Sequence, residues 1–343
     1  AATLNVVEPM NSGIGGYGTI LVYDAEKART RFLDSSGKIP MRVDSDVFRP
    51  PTPDYRENRQ GAKAVSTPGN VNAWRAMSSE YGKLEWKRLF EEAIKIAEQG
   101  FEVDEHFSEA IEFSFSEFNE YAKSVYGKNG QPLKNRERLI QKDLSRSLRL
   151  IAEQGPQVLY GGEIGKAIDK TMRERGGFLS IDDLIANKAE WWEPISINYR
   201  GYTVTTASPP STAFPSLIRL GLMSRFDNAS LGHNTAGYLH LFAEVTKHAF
   251  WCRLAYAGDP EFNPPPLKTL LSEKYWEDIV QQIDPKKARP FIPPSVVVKE
   301  GKSTTHFVVA DSRGNIVSAT QTLGGSFGCR IMVEGTGIWL NNS

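Results

Sequence analysis

Thr304 is the residue of this 343-residue chain best placed for nucleophilic chemistry. It follows a polar, lysine-bearing stretch that ends at Ser303, and it is the first residue of a β-branched and aromatic run. A cut between Ser303 and Thr304 would leave a threonine with a free α-amino group. The threonine hydroxyl is a weak nucleophile at neutral pH, and an α-amino group with a pKa near ~8 can accept its proton. The pattern therefore offers a nucleophile and its base in one residue.

The residues after Thr304 predict a β-hairpin. Two β-branched runs, 304–311 and 316–323, flank the polar turn Ser312-Arg313-Gly314-Asn315. Thr322 lies in the second predicted strand. A threonine that starts a strand is also typical of a purely structural position, so the pattern alone leaves both interpretations open.

A second candidate motif lies near the start of the chain. Gly13, Gly15 and Gly18 satisfy the spacing G-x-G-x-x-G, which would point to an NAD-type oxidoreductase. That mechanism needs a helix N-terminus after the glycines, whereas residues 19–24 predict a strand. We therefore expect no nucleotide and no other cofactor, and the oxidoreductase is the rival enzyme class.

Motifs near both ends of the chain resemble one family. They are Val6-Val7-Glu8-Pro9 with Ser12-Gly13-Ile14-Gly15-Gly16 near the start and, further on, Thr304-Thr305-His306-Phe307, Asp311, Gly314-Asn315, Thr320-Gln321-Thr322-Leu323, Phe327-Gly328 and 335–342. They look like the large-subunit signature and the start of the small subunit of the γ-glutamyltransferase (γ-glutamyltranspeptidase) family.

The resemblance implies an N-terminal-nucleophile hydrolase whose precursor cuts itself before a threonine. The implied fold is α+β, a four-layer αββα sandwich. Residues 1–303 would form a large-subunit-like segment and residues 304–343 the start of a small-subunit-like segment, intertwined in one domain. Relative to the family, the chain is expected to lack a portion ahead of Val6 and the rest of the small subunit, which would be its partner together with a small amide or peptide substrate.

The resemblance also assigns roles to individual residues. Ser303 and Thr304 would form the cleavage site, Thr304 the nucleophile, and Thr322 the residue that orients it. Asn341 and Asn342 fall at the start of a stretch that continues into substrate-binding acids, and Asn341 and Ser343 are the expected substrate-binding residues there.

Two departures from the family pattern concern specificity. Ser36 stands where the family has an arginine for the glutamyl α-carboxylate, and Gly324 stands where it has an asparagine. Both changes weaken γ-glutamyl recognition, so an acylase of the cephalosporin-acylase kind is a serious alternative, and a binding scaffold with weak catalysis is another. Arg31 or Arg42 are the candidates that could compensate.

Composition excludes several function classes. The 41 basic and 41 acidic residues balance, which argues against a nucleic-acid surface, and no apolar run is long enough to span a bilayer. Cys252 and Cys329 have no zinc-type spacing, and the histidines in 233–248 are seven and eight residues apart, so no metal site is predicted. A disulfide and the cellular compartment stay open.

Periodicity predicts a mostly helical middle. Two helices are expected from their apolar faces, one with Leu89, Phe90, Ala93, Ile96 and Ala97 and one with Phe107, Ile111, Phe115 and Phe118. Further helices are expected at 143–153, 163–175, 214–226 and 234–257, and a capping box at Ser180–Asp183. A hairpin is expected at 195–199 and 202–206, and a surface linker at 284–302.

Overall fold

The computed structural model describes residues 1–44, 46–48, 55–292 and 303–342. The helices of this part of the chain are α1 (Ala2–Val7), α2 (Asn70–Tyr81), α3 (Glu91–Gln99), α4 (Glu105–Ser114), α5 (Glu120–Tyr126), α6 (Lys142–Gln154), α7 (Glu163–Glu174), α8 (Ile181–Ala186), α9 (Phe214–Met223), α10 (Asn228–Leu231), α11 (Ala236–Tyr256), α12 (Leu267–Leu270) and α13 (Glu273–Val280).

The strands of the described residues are β1 (Tyr17–Asp24), β2 (Arg29–Ser35), β3 (Phe101–Glu102), β4 (Gly127–Lys128), β5 (Gln131–Pro132), β6 (Arg138–Leu139), β7 (Glu190–Trp192), β8 (Ile195–Tyr199), β9 (Tyr202–Thr206), β10 (Thr305–Ala310), β11 (Ile316–Thr322), β12 (Met332–Val333) and β13 (Ile338–Trp339). The mixture of helices and sheet confirms the α+β class. The predicted hairpins at β8–β9 and β10–β11 are confirmed.

A five-stranded antiparallel sheet of order β10-β11-β1-β2-β7 forms the centre of the molecule. Strand β1, from the beginning of the chain, lies between β2 and β11, and it pairs with β11 from Tyr17↔Thr322 to Tyr23↔Ile316. Residues far apart in sequence therefore complete one sheet. The short strand β7, which carries the adjacent tryptophans, was not predicted.

One face of this sheet packs against α2. Ile20, Val22, Leu33 and Ala319 of the sheet form a buried cluster with Ala73 of the helix. Side chains alternate between the two faces of a strand, so the residues between these point to the opposite face. Of the αββα layers, the described residues thus provide this helix layer and this sheet.

Three further cores support the sheet. The first is helical and includes Val6, Leu148, Ile151, Ile168 and Met172. The second is aromatic and includes the predicted core residues Phe107, Ile111, Phe115 and Phe118 together with Tyr126, Phe327 and Trp339. The third lies in a lobe made of β8, β9, α9, α11 and α13. The cores confirm most of the predicted apolar faces.

The predicted helix containing Leu89 is wrong at its first turn. Residues 86–90 form a 3-10 turn, so the α-helical period begins only at Glu91. Phe90 is buried, but Leu89 is 43% exposed. The other predicted helices occur within a few residues of the expected bounds, and the capping box is confirmed at Ser180 and Asp183.

The described part of the predicted linker, up to Ile292, is held on α11. Lys247 Nζ donates to the carbonyl of Arg289 at 2.7 Å, and buried Glu244 faces Arg289 Nε at 3.7 Å. His240 contacts the carbonyl of Asp284 at 2.8 Å. The first half of the linker is therefore anchored, and residues 293–302 lie outside the described residues.

Two absences apply to the described ranges. Within them, no helix has the length and apolar character needed to cross a membrane. Both cysteines are free and buried, Cys252 in the lobe and Cys329 in the first core, so the disulfide left open by the sequence is not formed.

Candidate active site

Thr304 and Thr322 face each other across the β10–β11 hairpin. The register pairs Thr305 with Gln321, which sets Thr304 opposite Thr322. Their hydroxyl oxygens are 3.1 Å apart. Thr304 is exposed, whereas Thr322 is 8% exposed at the end of β11. The hairpin thus brings an accessible hydroxyl against a buried one.

The hairpin is fixed at its far end by Asp311. This carboxylate accepts hydrogen bonds from the side chain and the backbone of Asn315 and from the backbone of Arg313, and these bonds lower the pKa of Asp311 to about 2. The side-chain oxygen of Asn315 in turn accepts from Ala25 N at 3.0 Å. The turn and its link to the end of β1 therefore set the register that places Thr304.

The carbonyl oxygen of Ser303 contacts both threonine hydroxyls. Its oxygen is 2.7 Å from Thr304 Oγ1 and 2.8 Å from Thr322 Oγ1. Gly324 N donates to Thr322 Oγ1 at 2.9 Å, so that oxygen acts as an acceptor and its own proton can point to Ser303 O. A peptide carbonyl polarised by one hydroxyl and approached by another is an arrangement suited to acyl transfer.

The glycine segment near the start of the chain serves close packing. A side chain at Gly18 would collide with the carbonyl of Thr320, and one at Gly15 would collide with the carbonyl of Trp339. Strand β1 follows these glycines, where a nucleotide site would need a helix. The segment therefore packs against β11 and β13, and the oxidoreductase interpretation loses its structural basis.

Ser36 lies at the end of β2, where it bonds to its own neighbour. Its hydroxyl donates to Asp34 Oδ1 at 2.6 Å. Asp34 is 7% exposed, and burial raises the pKa of its carboxyl although the bonds from Ser36 act in the opposite direction. Ser36 thus caps a buried carboxyl, and its role in substrate binding stays a prediction.

Gly324 follows Thr322 in a backbone conformation with φ of +92°, which favours glycine. A Cβ atom there would collide with Asn342 Oδ1. That oxygen accepts from Gly325 N at 2.6 Å, while Asn342 Nδ2 donates to the carbonyl of Arg59 at 2.7 Å. Asn342, which the resemblance places with Asn341 at the start of the substrate-binding stretch, therefore fills the space that a side chain at position 324 would need.

Asn341 has a structural part in the described contacts. It is fully buried, and its side chain bonds to the backbone of Ser66 and Gly15 and to the hydroxyl of Ser66. This amide holds the loop before α2 next to β1, and the substrate contact of Asn341 stays a prediction. Ser343 lies outside the described residues.

The arginines proposed as replacements for the missing cation differ in position. Arg31 lies three residues before Asp34, so its side chain points to the α2 side of the sheet, where it pairs with Glu80 at 2.7 Å and stacks over Trp191. It cannot compensate from that face. Arg42 lies on the surface in the turn after Pro40.

Two of the histidines in residues 233–248 have separate partners in the structure. His240 contacts a backbone carbonyl and His248 contacts the hydroxyl of Tyr275 at 2.8 Å. Among the residues that the structure describes, no three His, Cys, Asp or Glu side chains come together as metal ligands.

The fold is the α+β fold of the N-terminal-nucleophile type, and the threonine pair lies at one end of its sheet. The sequence profile described as Gamma-glutamyltranspeptidase matches residues 1–343, and the chain belongs to that family. It is 33% identical over 348 residues to the "Glutathione hydrolase proenzyme" of Escherichia coli (strain K12), with 99% of this chain and 60% of the relative covered. It is also 33% identical over 350 residues to the "Acylase ACY 1 proenzyme" of Pseudomonas sp. (strain V22), with 99% and 62% covered.

Solved structures give the same result. The Helicobacter pylori γ-glutamyltranspeptidase superposes with a TM-score of 0.82 at 27% identity, with 85% of this chain and 86% of that chain covered. The cephalosporin acylase from Bacillus halodurans superposes with a TM-score of 0.88 at 27% identity, with 100% and 63% covered. The chain thus spans about 60% of the curated relatives it matches.

Proposed function

We propose that this chain belongs to an autoprocessing amidohydrolase or acyltransferase in which Thr304 is the nucleophile. The observation that carries the proposal is the contact of Ser303 O with Thr304 Oγ1 and Thr322 Oγ1, at 2.7 and 2.8 Å. The printed names of the relatives, glutathione hydrolase and acylase proenzymes, support the same reaction class. The substrates are small amides or peptides of the γ-glutamyl or a related acyl type.

The proposed self-cleavage uses only groups at this contact and water. Thr304 Oγ attacks the carbonyl carbon of Ser303, and Thr322 donates a hydrogen bond to the carbonyl oxygen as it gains negative charge. The C–N bond breaks as the hydroxyl proton of Thr304 passes to the amide nitrogen, which leaves an ester between Ser303 and Thr304 and a free amine on Thr304. Water hydrolyses the ester, so residues 1–303 end in a carboxylate and Thr304 begins the second fragment.

The same threonine then acts on substrates. Its amine accepts the hydroxyl proton, its oxygen attacks an amide carbonyl, and water or another amine takes the acyl group from the ester. Residues 1–303 and 304–343 would form the large-subunit-like and small-subunit-like segments of one intertwined domain. The remaining small-subunit segment expected for the family would complete the site.

An acylase for amides without a glutamyl group is the second candidate. Ser36 presents a hydroxyl already bonded to Asp34, and Arg31 lies on the other face of the sheet. Neither supplies the bidentate cation that suits an α-carboxylate. A binding scaffold with weak catalysis is the outcome if processing and turnover both fail.

The test is the chain composition of the purified full-length protein on a denaturing gel, with intact mass and N-terminal sequencing. We expect two fragments, one of which begins at Thr304. Thr304→Ala should give one uncut chain, and Thr305→Ala, the matched control on the opposite face of β10, should still give two. Cutting of the Thr304→Ala variant at the same bond would assign the cut to another protease and overturn the proposal.

A further inference from the structure

Four side chains form a row across the sheet on the face that carries the nucleophile, which we call the threonine face. Thr304 lies opposite Thr322, Thr322 pairs with Tyr17, and the pair Gly18↔Ser35 extends the row from Tyr17 to Ser36. Neighbouring strands are about 4.8 Å apart. Ser36 is therefore about 14 Å from Thr304, and any acyl chain that extends from Thr304 towards Ser36 must cross Tyr17.

The side chain of Tyr17 points to the threonine face. A side chain on the next residue, Gly18, would approach Asn70 Oδ1 of α2 at 3.2 Å, on the opposite face. Since faces alternate along a strand, Tyr17 lies on the side of Thr304. Its ring is half-buried, and its Cδ1 atom would be 3.5 Å from a Cβ at Gly37. The ring thus leans towards the end of β2 and covers the strip between Thr322 and Ser36.

The charges beside this row disfavour an acyl group with a carboxylate. The next row of the threonine face carries buried Asp34 opposite Glu190. Lys38, the cation next to them, is 3.6 Å from Glu190 and its side chain is 56% exposed. An incoming carboxylate would meet two acidic side chains and a lysine that is already paired, whereas an uncharged chain would lie on the aromatic ring.

We propose that Tyr17 forms the floor of the acyl subsite and that it selects uncharged acyl chains, aliphatic or aryl and up to about 10 Å long, over the γ-glutamyl group. The inference rests on the proposed function, because it assumes that Thr304 attacks the substrate carbonyl. Removal of the Tyr17 ring takes away apolar contact with the acyl chain, which lowers the affinity for an uncharged chain about tenfold. The affinity for the γ-glutamyl group should not change.

The experiment measures kcat/KM of the full-length processed protein for hexanoyl p-nitroanilide and for γ-glutamyl p-nitroanilide. We expect the parent to prefer the hexanoyl substrate. Tyr17→Ala should lower the ratio of the two values about tenfold, mainly through KM, and Tyr17→Phe should keep it. Tyr23→Ala is the matched control, because Tyr23 lies on the same strand and face at the far end from Thr304 and is 36% exposed.

Self-cleavage provides a second readout. The contact at the cleavage site is made by the Ser303 carbonyl and the hydroxyls of Thr304 and Thr322, so we expect the Tyr17 variants to be cut within about threefold of the parental rate. Where Tyr17→Ala does not accumulate as folded protein, Tyr17→Leu replaces it with the same expected loss of preference.

The outcomes separate the two claims. A parent that is cut and active, with a ratio unchanged in Tyr17→Ala or lowered equally in Tyr17→Phe, overturns the inference and leaves the proposed function standing. Loss of self-cleavage in the Tyr17 variants also overturns it, because the residue is then structural. A parent without self-cleavage and without turnover overturns both.

Discussion

The hydroxyl of Thr322 lies 2.8 Å from the carbonyl oxygen of Ser303, the residue before the proposed nucleophile. A neighbouring strand thus supplies a hydrogen-bond donor to the bond that must break. Gly324 N occupies a lone pair of Thr322 Oγ1, so the hydroxyl proton of Thr322 is available for Ser303 O. Thr322 is therefore placed to stabilise negative charge on the carbonyl oxygen as well as to orient Thr304.

The first prediction concerns this donor. Thr322→Ala should slow self-cleavage about 100-fold or more, because loss of one hydrogen bond to a developing oxyanion has an effect of that size. Thr322→Ser, which keeps the hydroxyl, should remain within about tenfold of the parent. A time course on denaturing gels measures both rates.

The matched control is Thr320→Val. Thr320 lies on the same strand and face, where its hydroxyl contacts His306 Nδ1 at 2.8 Å and not Ser303. It should be cut at the parental rate. A parental cleavage rate for Thr322→Ala would remove Thr322 from the reaction.

The second prediction concerns position 324, where the family's asparagine cannot simply be restored. Gly324→Asn should lower the free energy of unfolding by about 1–3 kcal/mol, because φ is +92° and the new Cβ would collide with Asn342 Oδ1. Gly314→Asn is the matched control. Its φ is +87°, yet a Cβ there would meet only Ala25 Cβ at an ordinary 3.5 Å.

Denaturant unfolding measures the free energy of unfolding of the two single variants and of the double variant Gly324→Asn/Asn342→Gly. The double variant should recover part of the loss, because the shorter residue 342 makes room for the new side chain. Equal losses for Gly324→Asn and Gly314→Asn would show that the backbone conformation alone matters and that Asn342 does not occupy the space.

The third prediction follows from the buried carboxyl of Asp34. Burial raises its pKa in the folded protein above the value near ~3.8 of the unfolded chain, so folding loses free energy as the pH rises from about 4 through the folded pKa. Asp34→Asn should therefore be more stable than the parent at pH 7, and its advantage should shrink as the pH falls to 4. Asparagine Oδ1 can still accept the bond from Ser36.

Asp311→Asn should change the stability at pH 7 in the opposite direction. The pKa of Asp311 is lowered to about 2 by its bonds to Asn315, so its contribution is present above pH 4 and is lost as the pH falls towards 2. This variant should be less stable than the parent at pH 7. Thermal or urea unfolding at several pH values measures both, and parallel profiles for Asp34→Asn and the parent would contradict the prediction.

The fourth prediction concerns acid stability of the helical lobe. Burial, with a smaller effect of Arg289, lowers the pKa of His248 to about 4. The unfolded chain takes up this proton near pH 6.5, so stability falls between pH 6.5 and 4, by up to about 3 kcal/mol. His248→Gln should flatten this part of the profile, while His106→Gln, at an exposed residue of α4, should leave it unchanged.

The sequence predicted what depends on local pattern. The hairpin of Thr304 and Thr322 follows from two β-branched runs around a short polar turn, and the turn fixes their register. The sheet face of Arg31 was also predictable. Side chains alternate along a strand, so Arg31, three residues before Asp34, lies on the opposite face from Asp34. The contact between Gly324 and Asn342 was not, because it depends on how the chain returns to the sheet after β13.

The pairing of β1 with β11 affects what happens after the bond at Thr304 is cut. Seven residue pairs, from Tyr17↔Thr322 to Tyr23↔Ile316, then join two separate polypeptides, and β2 holds β1 from its other side. A single chain can form this ladder as an intramolecular step, but two fragments must first meet. Refolding of the processed protein should therefore depend on dilution, whereas refolding of the uncut Thr304→Ala chain should not. Processing would convert a reversible fold into a kinetically persistent one.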